Sequence, residues 1–451
     1  TRPATAPYPP TYRTTEVHWW SASQVYGPRA DLQRKLRTFA DGKLKVAEEN
    51  LPSGPEVLLP VDDEAASRPA GAVTEVHPRD KELGVDLTGF NDNYWVGTSW
   101  LHTLFVREHN HLCGELKGRY AKDLSELTDA QRDEWLFGKA RLIVAALMAK
   151  IHTVEWTTAI LNHPVIHIDL PSNWWGILGR WFKIRFGRIS ANEGISGIIG
   201  SQAEHHAAPY SLTEDFVAVY RLHPLIPDLV DLYDFDNPSP VRQVRFENIQ
   251  GTATRGAVRA RGMTNWVYSF AKQSPGAVTL RNYPQSLWQF KRMTGEYLDL
   301  ATRDIVRDRE RGIPRYNRFR ELLRMRPMRS YEELVGPRQD PAERKYLIDT
   351  LRQLYGEGGI DRLDLMVGLF AEEVPPGFGF SDTAFRIFIL MASRRLKSDR
   401  FFTDDFRPEV YTRFGIDWVN NETMASMLRR HYPKLGDRVP DGRRVFAPWR
   451  T

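Results

Sequence analysis

Segments of helical length, separated by glycine and proline, recur along most of the 451-residue chain. Their apolar residues follow helical spacing, whereas no convincing ladder of alternating polar and apolar residues predicts a large sheet. Capping residues mark several ends, such as Ser381 and Asn421 before two of the segments and Gly312 with Pro314 after another. The predicted helices are 99–117, 129–161, 213–222, 298–311, 340–355, 362–372, 382–400 and 422–432. The sequence therefore predicts a mainly α fold.

The composition favours one large unit. Hydrophobic residues make up 41% of the chain and aromatic residues 12%, which is enough for an extensive core. Residues 1–15 are rich in proline and threonine and are predicted to form an extended arm. Residues 52–80 and 233–262 are predicted to be long surface connections, but neither has the composition of a flexible linker. We therefore expect a single domain over residues 16–451.

Charge and cysteine content exclude several classes of protein. The 62 basic and 57 acidic residues give a net charge of +5 that is spread along the chain, which argues against a nucleic-acid-binding protein. Cys113 is the only cysteine, so an intrachain disulfide and CxxC-type zinc or iron–sulfur sites are excluded. The longest strongly apolar run, 142–149, is too short to span a bilayer, and no targeting signal is visible. We expect no transmembrane segment, and the compartment stays open.

A tyrosine and a histidine three residues apart stand out, at Tyr220 and His223. Ser211 followed by Glu214 has the form of a capping box, which predicts that a short helix starts there. Residues three apart share a helix face, so both side chains are predicted to point into one cavity. Histidine is a common axial ligand of haem iron, and tyrosine can be oxidised to a radical. The same pattern would also arise if both residues merely packed a core helix.

Several separated stretches carry a family resemblance. The run Leu-His-Thr-Leu-Phe-Val-Arg-Glu-His-Asn at 101–110 resembles the signature helix of the animal haem peroxidase and cyclooxygenase superfamily. Residues 299–317, which end in Gly-Ile-Pro-Arg-Tyr-Asn, resemble the long helix and turn of the same superfamily. Within it, segments 149–157, 210–228 and 394–402 are most similar to fatty-acid α-dioxygenases. The resemblance implies a helical fold of the animal haem peroxidase, cyclooxygenase type.

The resemblance also implies roles for individual residues. His223 corresponds to the proximal haem ligand, and Tyr220 to the tyrosine that becomes a radical and removes hydrogen from the substrate. His152, Thr157 and Arg400 match the residues that hold the carboxylate of a long-chain fatty acid. Alternatively, Thr157 bonds its own helix backbone and Arg400 forms a structural ion pair. Because His152 and Thr157 lie five residues apart, they can act together only at a helix end or a distortion.

The activity implied by the resemblance is oxygenation of fatty acids at the α-carbon. It would use haem b, dioxygen and a peroxide activator, and it would give a 2-hydroperoxy acid. The alternatives that stay open are a peroxidase or mid-chain dioxygenase on the same scaffold, and a non-catalytic subunit of a peroxidase-like complex. Because the implied substrates are lipids, peripheral contact with a membrane is compatible with this function.

The distal side of the implied haem site is not matched. The family needs a histidine on the opposite haem face to move protons as peroxide is cleaved. None of the twelve histidines stands in that context, and His18 lies too close to the motif that begins at Trp19. We therefore expect that a second polypeptide carries the distal histidine or that the sequence is incomplete.

The implied calcium site is also poorly matched. Its ligand positions correspond to Val17, Trp19, Ser21 and Ser23, which include no carboxylate, so we expect a weak or empty site. Asp92 stands where plant relatives have arginine, so classical peroxidase activity at this haem is not expected.

Overall fold

The computed structural model describes residues 17–63, 84–91, 94–204, 212–237, 239–291, 296–338 and 340–450. Helices dominate these ranges, which confirms the predicted mainly α class. The predicted arm of residues 1–15 lies outside the described residues, and the division into an arm and one domain stays a prediction.

The first half of the fold contains short helices around two long ones. In chain order they are α1 (Ser23–Tyr26), α2 (Ala30–Leu36), α3 (Val96–Arg119), α4 (Ala121–Leu124), α5 (Asp129–Lys150), α6 (Thr157–Ile160), α7 (Ile166–Trp175), α8 (Gly179–Phe186), α9 (Glu193–Ser196), α10 (Glu214–Val219), α11 (Ala253–Arg261) and α12 (Met263–Ala271).

Helices also dominate the second half. In chain order its helices are α13 (Gln285–Trp288), α14 (Leu300–Glu310), α15 (Tyr316–Leu322), α16 (Tyr331–Val335), α17 (Pro341–Tyr355), α18 (Leu365–Ala371), α19 (Asp382–Ser398), α20 (Pro408–Tyr411), α21 (Arg413–Asn421) and α22 (Met424–His431).

The strands form short antiparallel hairpins rather than a large sheet. They pair as β1 (Ala47–Leu51) with β2 (Gly54–Leu58), β3 (Leu229–Leu232) with β4 (Arg242–Arg245), and β5 (Phe290–Lys291) with β6 (Tyr297–Leu298). β4 and α11 both fall in residues 233–262, so the prediction of a long surface connection there is wrong.

One core cluster surrounds α3 and α5, which pack against each other and against α21 and α22. Thr128 caps α5 because its hydroxyl accepts a hydrogen bond from the backbone N–H of Gln131. Glu108 of α3 is fully buried and accepts hydrogen bonds from Trp418, Arg430 and His431, so its charge is paired. These bonds fix α21 and α22 across α3.

A second core cluster lies among α15 to α19. The buried Asp364, just before α18, accepts two hydrogen bonds from Arg309, with Nε–Oδ1 and Nη2–Oδ2 distances of 2.8 and 2.6 Å. It also accepts one from the Tyr355 hydroxyl at 2.8 Å. Because a planar guanidinium pairs with a carboxylate through two parallel bonds, this contact fixes α14 relative to α18.

Two of the predicted helix caps have different outcomes. The Ser381 hydroxyl accepts from the N–H of Ala384 at the start of α19, as predicted. The prediction that Asn421 caps the next helix is wrong, because α21 continues through it and Thr423 caps α22 instead. The reason is local: the Thr423 hydroxyl bonds the N–H of Ser426, whereas the N–H of Glu422 still bonds back into α21.

Candidate active site

A π-helical turn interrupts the helix that the sequence predicts over 129–161. α5 ends at Lys150, Ile151–Trp156 is π-helical, and α6 begins at Thr157. Since a π-helix bonds each residue to the one five positions away, it brings residues five apart to one side. His152 and Thr157 accordingly line the same cavity, and the Thr157 hydroxyl donates to the His152 carbonyl over 2.7 Å. This turn is the distortion that joint action would require, and the bond of Thr157 to its own helix backbone is the alternative that the sequence left open.

His152 lies among aromatic rings in the wall of this cavity. Its ring stacks on Trp156 with a centroid distance of 5.0 Å and meets the Trp20 ring edge-on at 5.1 Å. Burial lowers the pKa of His152 to about 4, so the imidazole is neutral at pH 7. Its Nδ1 atom is buried and has no hydrogen-bond partner among the described residues. Because buried polar atoms are normally paired, this atom marks a place where a ligand group can bind.

Arg400 lies apart from the side chains that line the cavity. Its Nε donates to Asp405 over 2.7 Å, and 62% of its side-chain surface is exposed. This is the structural ion pair that the sequence left open. Arg395 is the arginine near His152, because its guanidinium carbon is 4.8 Å from the centre of the Trp20 ring that contacts His152. Burial is the main cause of the lowered pKa of His152, and the positive charge of Arg395 is the second cause. Sequence reasoning missed Arg395, although it belongs to the Arg-Arg-Leu-Lys-Ser-Asp-Arg segment that carried the resemblance.

Tyr220 approaches the same cavity through Phe388 of α19. The two rings are stacked, with a centroid distance of 5.2 Å and an interplanar angle of 14°. Phe388 also lines the cavity, and its ring centroid is 6.3 Å from that of His152. One aromatic side chain thus contacts both the predicted radical tyrosine and the predicted carboxylate-binding histidine.

The prediction of one helix face for Tyr220 and His223 is wrong. α10 ends at Val219, Tyr220 follows it, and His223 begins a 3-10 turn that ends at Leu225. The backbone leaves the α-helical region at Tyr220, with φ −79° and ψ 25°, and Pro224 lies at the start of the 3-10 turn, where its missing N–H is tolerated. The helix begins at Glu214 with Thr213 as its cap, and the predicted cap Ser211 lies outside the described residues.

His223 faces an acidic residue of α14. Its Nδ1 lies 3.8 Å from Oδ2 of Asp304, whose other oxygen is 3.1 Å from Nη2 of Arg221. Burial lowers the pKa of His223, although the Asp304 charge opposes this effect, so the neutral imidazole is favoured. The two groups face each other without a hydrogen bond, since neither Nδ1 of His223 nor Oδ2 of Asp304 has a hydrogen-bond partner among the described residues.

This arrangement fits a haem iron ligand. In a metal-binding histidine, a carboxylate near Nδ1 usually orients the ring so that Nε2 binds the metal. Asp304 lies in that direction from His223, at 3.8 Å and without a hydrogen bond. Sequence reasoning missed Asp304. It lies in the 299–317 stretch that carried the resemblance, and a carboxylate in that helix is the signal that could have identified it.

Two further predictions concern metal ions. Within the described ranges, no group of three or more His, Cys, Asp or Glu side chains is arranged to hold a metal ion. Ser21 and Ser23 of the implied calcium loop share a hydrogen bond of 2.6 Å between their hydroxyls. The weak calcium site stays a prediction, and Asp92 lies outside the described residues.

Comparison with known proteins decides the family. Residues 3–442 match the family model of the animal haem peroxidases. The chain belongs to the animal haem peroxidase family. The resemblance deduced from the sequence and the helical fold that it implied are therefore confirmed, and family membership implies haem as the cofactor.

This animal haem peroxidase is similar to several alpha-dioxygenases. It is 36% identical to alpha-dioxygenase PIOX of Pisum sativum over 448 residues, which cover 96% of this chain and 63% of that protein. The fatty acid alpha-dioxygenase of Arabidopsis thaliana superposes with a TM-score of 0.81 at 35% identity, over 96% of this chain and 63% of that one. A variant of the Oryza sativa enzyme with palmitic acid gives 0.80 at 35% identity, over 96% and 66%. The chain thus spans slightly less than two thirds of the length of these relatives.

In the described part of this haem peroxidase, no helix combines the length and the apolar character needed to cross a bilayer.

Proposed function

We propose that this protein oxygenates long-chain fatty acids at the α-carbon to give 2-hydroperoxy acids. The similarity to alpha-dioxygenases of three plants supports the reaction class. The observation that carries the proposal is the position of Phe388 between Tyr220 and His152, with centroid distances of 5.2 and 6.3 Å. Tyr220 thus lies one aromatic ring away from the cavity in which a carboxylate at His152 would bind.

We propose that His152 and Thr157 hold the substrate carboxylate. The unpaired Nδ1 of His152 provides the polar partner, and the Thr157 hydroxyl in the same cavity would have to leave the His152 carbonyl to donate to the carboxylate. Of the two arginines, Arg395 is the better candidate for the cation, because it already lies against Trp20 beside His152. Arg400, the residue that the resemblance implies, would have to leave Asp405 to take part.

The proposed chemistry runs through Tyr220. When bound, haem b together with a peroxide supplies the one-electron oxidant. Tyr220 loses an electron and its phenolic proton to become a phenoxyl radical, which takes a hydrogen atom from the α-carbon and returns to the phenol. The carbon radical adds dioxygen, and the resulting peroxyl radical takes the phenolic hydrogen atom back. The product is the 2-hydroperoxy acid, and the phenoxyl radical is regenerated.

On the proximal side, we propose that His223 holds the iron through Nε2. Asp304 would accept a hydrogen bond from Nδ1–H after closing the present distance of 3.8 Å, and that bond would fix the tautomer and the ring orientation. That a second polypeptide provides the distal histidine remains our proposal; haem spectra of the chain with and without its natural neighbour would test it. Because the proposed substrates are lipids, we also propose peripheral contact with a membrane.

The deciding experiment compares two tyrosine variants of the haem-loaded protein with palmitic acid. Tyr220→Phe should keep the Soret band and lose oxygen uptake, since the phenoxyl radical cannot form. Tyr283→Phe is the matched control, because this second phenol lies beside His223, with ring centroids 5.4 Å apart. Normal oxygen uptake by Tyr220→Phe would refute the radical role. A product oxygenated further along the chain would instead support a mid-chain dioxygenase.

A further inference from the structure

Exposed hydrophobic side chains are concentrated around α7 and α8. Among the described residues, 22 large hydrophobic side chains are exposed, and eight of them lie in the 31 residues from 165 to 195. They are Val165, Ile168, Ile177, Leu178, Trp181, Phe186, Ile189 and Ile195. We refer to these eight residues as the α7–α8 surface. Such a concentration is not the scattered exposure that any soluble protein shows, and it indicates an interaction site.

α8 contributes the largest side chains of this surface. None of its eight residues is buried, and Trp181 is 73% exposed, the highest value among the exposed hydrophobic residues described. The Phe186 ring meets the Phe182 ring at 4.8 Å and the Trp181 ring at 6.0 Å, so the aromatic residues form one patch. Because burial of aromatic surface is favourable, contact of this patch with an apolar partner would stabilise the bound state.

The charges around the patch are mainly basic, because the acidic residues in 165–195 are two, Asp169 and Glu193, against four basic ones. Residues 176–192 contain four basic residues and no acidic one. Lys183 and Arg188 donate to backbone carbonyls, whereas Arg185 is exposed and lies 5.7 Å from the Phe186 ring. Arginine or lysine interleaved with Trp, Phe and Ile is typical of helices that lie in a membrane interface. The positive charge complements anionic lipid headgroups.

We propose that the α7–α8 surface docks on an anionic lipid bilayer, with Trp181 and Phe186 in the headgroup region. A second copy of the chain is a poorer occupant, because a symmetric contact would place the two basic patches against each other. The opposite side of α7 supplies Leu170 and Asn173 to the cavity of His152. The bilayer would therefore lie next to the cavity. The link between the two rests on the proposed function, in which the cavity holds the carboxylate of a fatty acid.

Vesicle flotation of the full chain tests the surface directly. We expect binding to phosphatidylcholine vesicles that contain about 30 mol% phosphatidylserine, and weaker binding to phosphatidylcholine alone. The double variant Trp181→Ser/Phe186→Ser should bind about tenfold more weakly, which corresponds to about 1.4 kcal/mol. Arg185→Glu should weaken binding to the anionic vesicles only. The matched controls are Leu354→Ser, 71% exposed on α17, and Arg34→Glu on α2, and both should bind as the parent does.

A labelling experiment separates lipid from other occupants. The only cysteine, Cys113, is fully buried, so Ile177→Cys creates a single accessible thiol for an environment-sensitive dye. We expect its emission to shift to the blue on addition of the anionic vesicles, and a dye at Leu354→Cys to show no shift.

Three results would overturn the proposal: equal vesicle binding by the double variant and the parent, a dye at 177 that is already shielded without lipid, or a dimer that dissociates in the double variant. Oxygen uptake with detergent-dispersed fatty acid tests the proposed function separately, because it needs no bilayer. Loss of vesicle binding with normal oxygen uptake would therefore concern the surface alone.

Discussion

Replacement of Asp304 by asparagine should lower the pKa of His223 by about one unit. The His223 Nδ1 atom and Oδ2 of Asp304 are 3.8 Å apart. Two unit charges at this distance attract by about 1 kcal/mol in a water-like dielectric and by about 4 kcal/mol at an effective dielectric constant of about 20. These energies correspond to about 0.8 and about 3 pKa units. Because 31% of the His223 side chain is exposed to solvent, the smaller of these two changes in pKa applies.

The direction of this change is certain from the geometry. Asp304→Asn removes a negative charge that favours the imidazolium, and it leaves the nearby Arg221 charge without its partner at 3.1 Å. Both effects disfavour a proton on His223. Two-dimensional NMR of the haem-free chain with labelled histidine gives the pKa of each ring. Asp308→Asn, one helical turn further along α14, is the control and should change the pKa of His223 less. An unchanged or raised pKa in Asp304→Asn would refute the proposed orientation of His223.

Two further predictions test the cavity and the core. Phe388→Leu should lower the free energy of unfolding by about 1–3 kcal/mol, since each aromatic pair contributes about 0.5–1.5 kcal/mol, and should also reduce oxygen uptake with palmitic acid. Phe319→Leu, buried in the same cluster, should show the loss of stability alone, and equal oxygen uptake in the two variants would contradict the role of Phe388. Burial lowers the pKa of His109 to about 4, so its contribution to stability is complete above about pH 6.5 and is lost as the pH falls towards 4. In urea unfolding at several pH values, His109→Gln should reduce this acid-induced loss of stability by up to about 1.4 kcal/mol per pH unit. The control Leu112→Ala should lower the free energy of unfolding equally at each pH. Identical pH slopes for His109→Gln and the parent would show that His109 does not titrate in this way.

The long helices could be predicted from the sequence because their signals are local. The helix predicted from residue 382 begins at Asp382, since the Ser381 cap acts within three residues. Short helices such as α7 and α8 were not predicted. α7 buries Ile166, Leu170 and Trp174 at helical spacing, but Pro171 inside it is a helix-breaking signal. α8 in particular buries no residue, so the hydrophobic period on which such predictions depend is absent.

The candidate site was predictable only in part. The sequence resemblance pointed to His152 and Thr157, but the π-helical turn that brings them to one cavity has no sequence signal of its own. Asp304 and Arg395 act on their histidines from helices that are distant in sequence, so only the folded arrangement shows them. The ion pair of Arg400 with Asp405 depends likewise on how the turn after α19 folds.

The spectrum of the haem-loaded chain in two histidine variants tests the central claim, that His223 is the residue that holds the iron. His223→Gln should lose the Soret absorption of a histidine-ligated haem, whereas His167→Gln on α7 should retain it. An unchanged spectrum in His223→Gln would contradict the account.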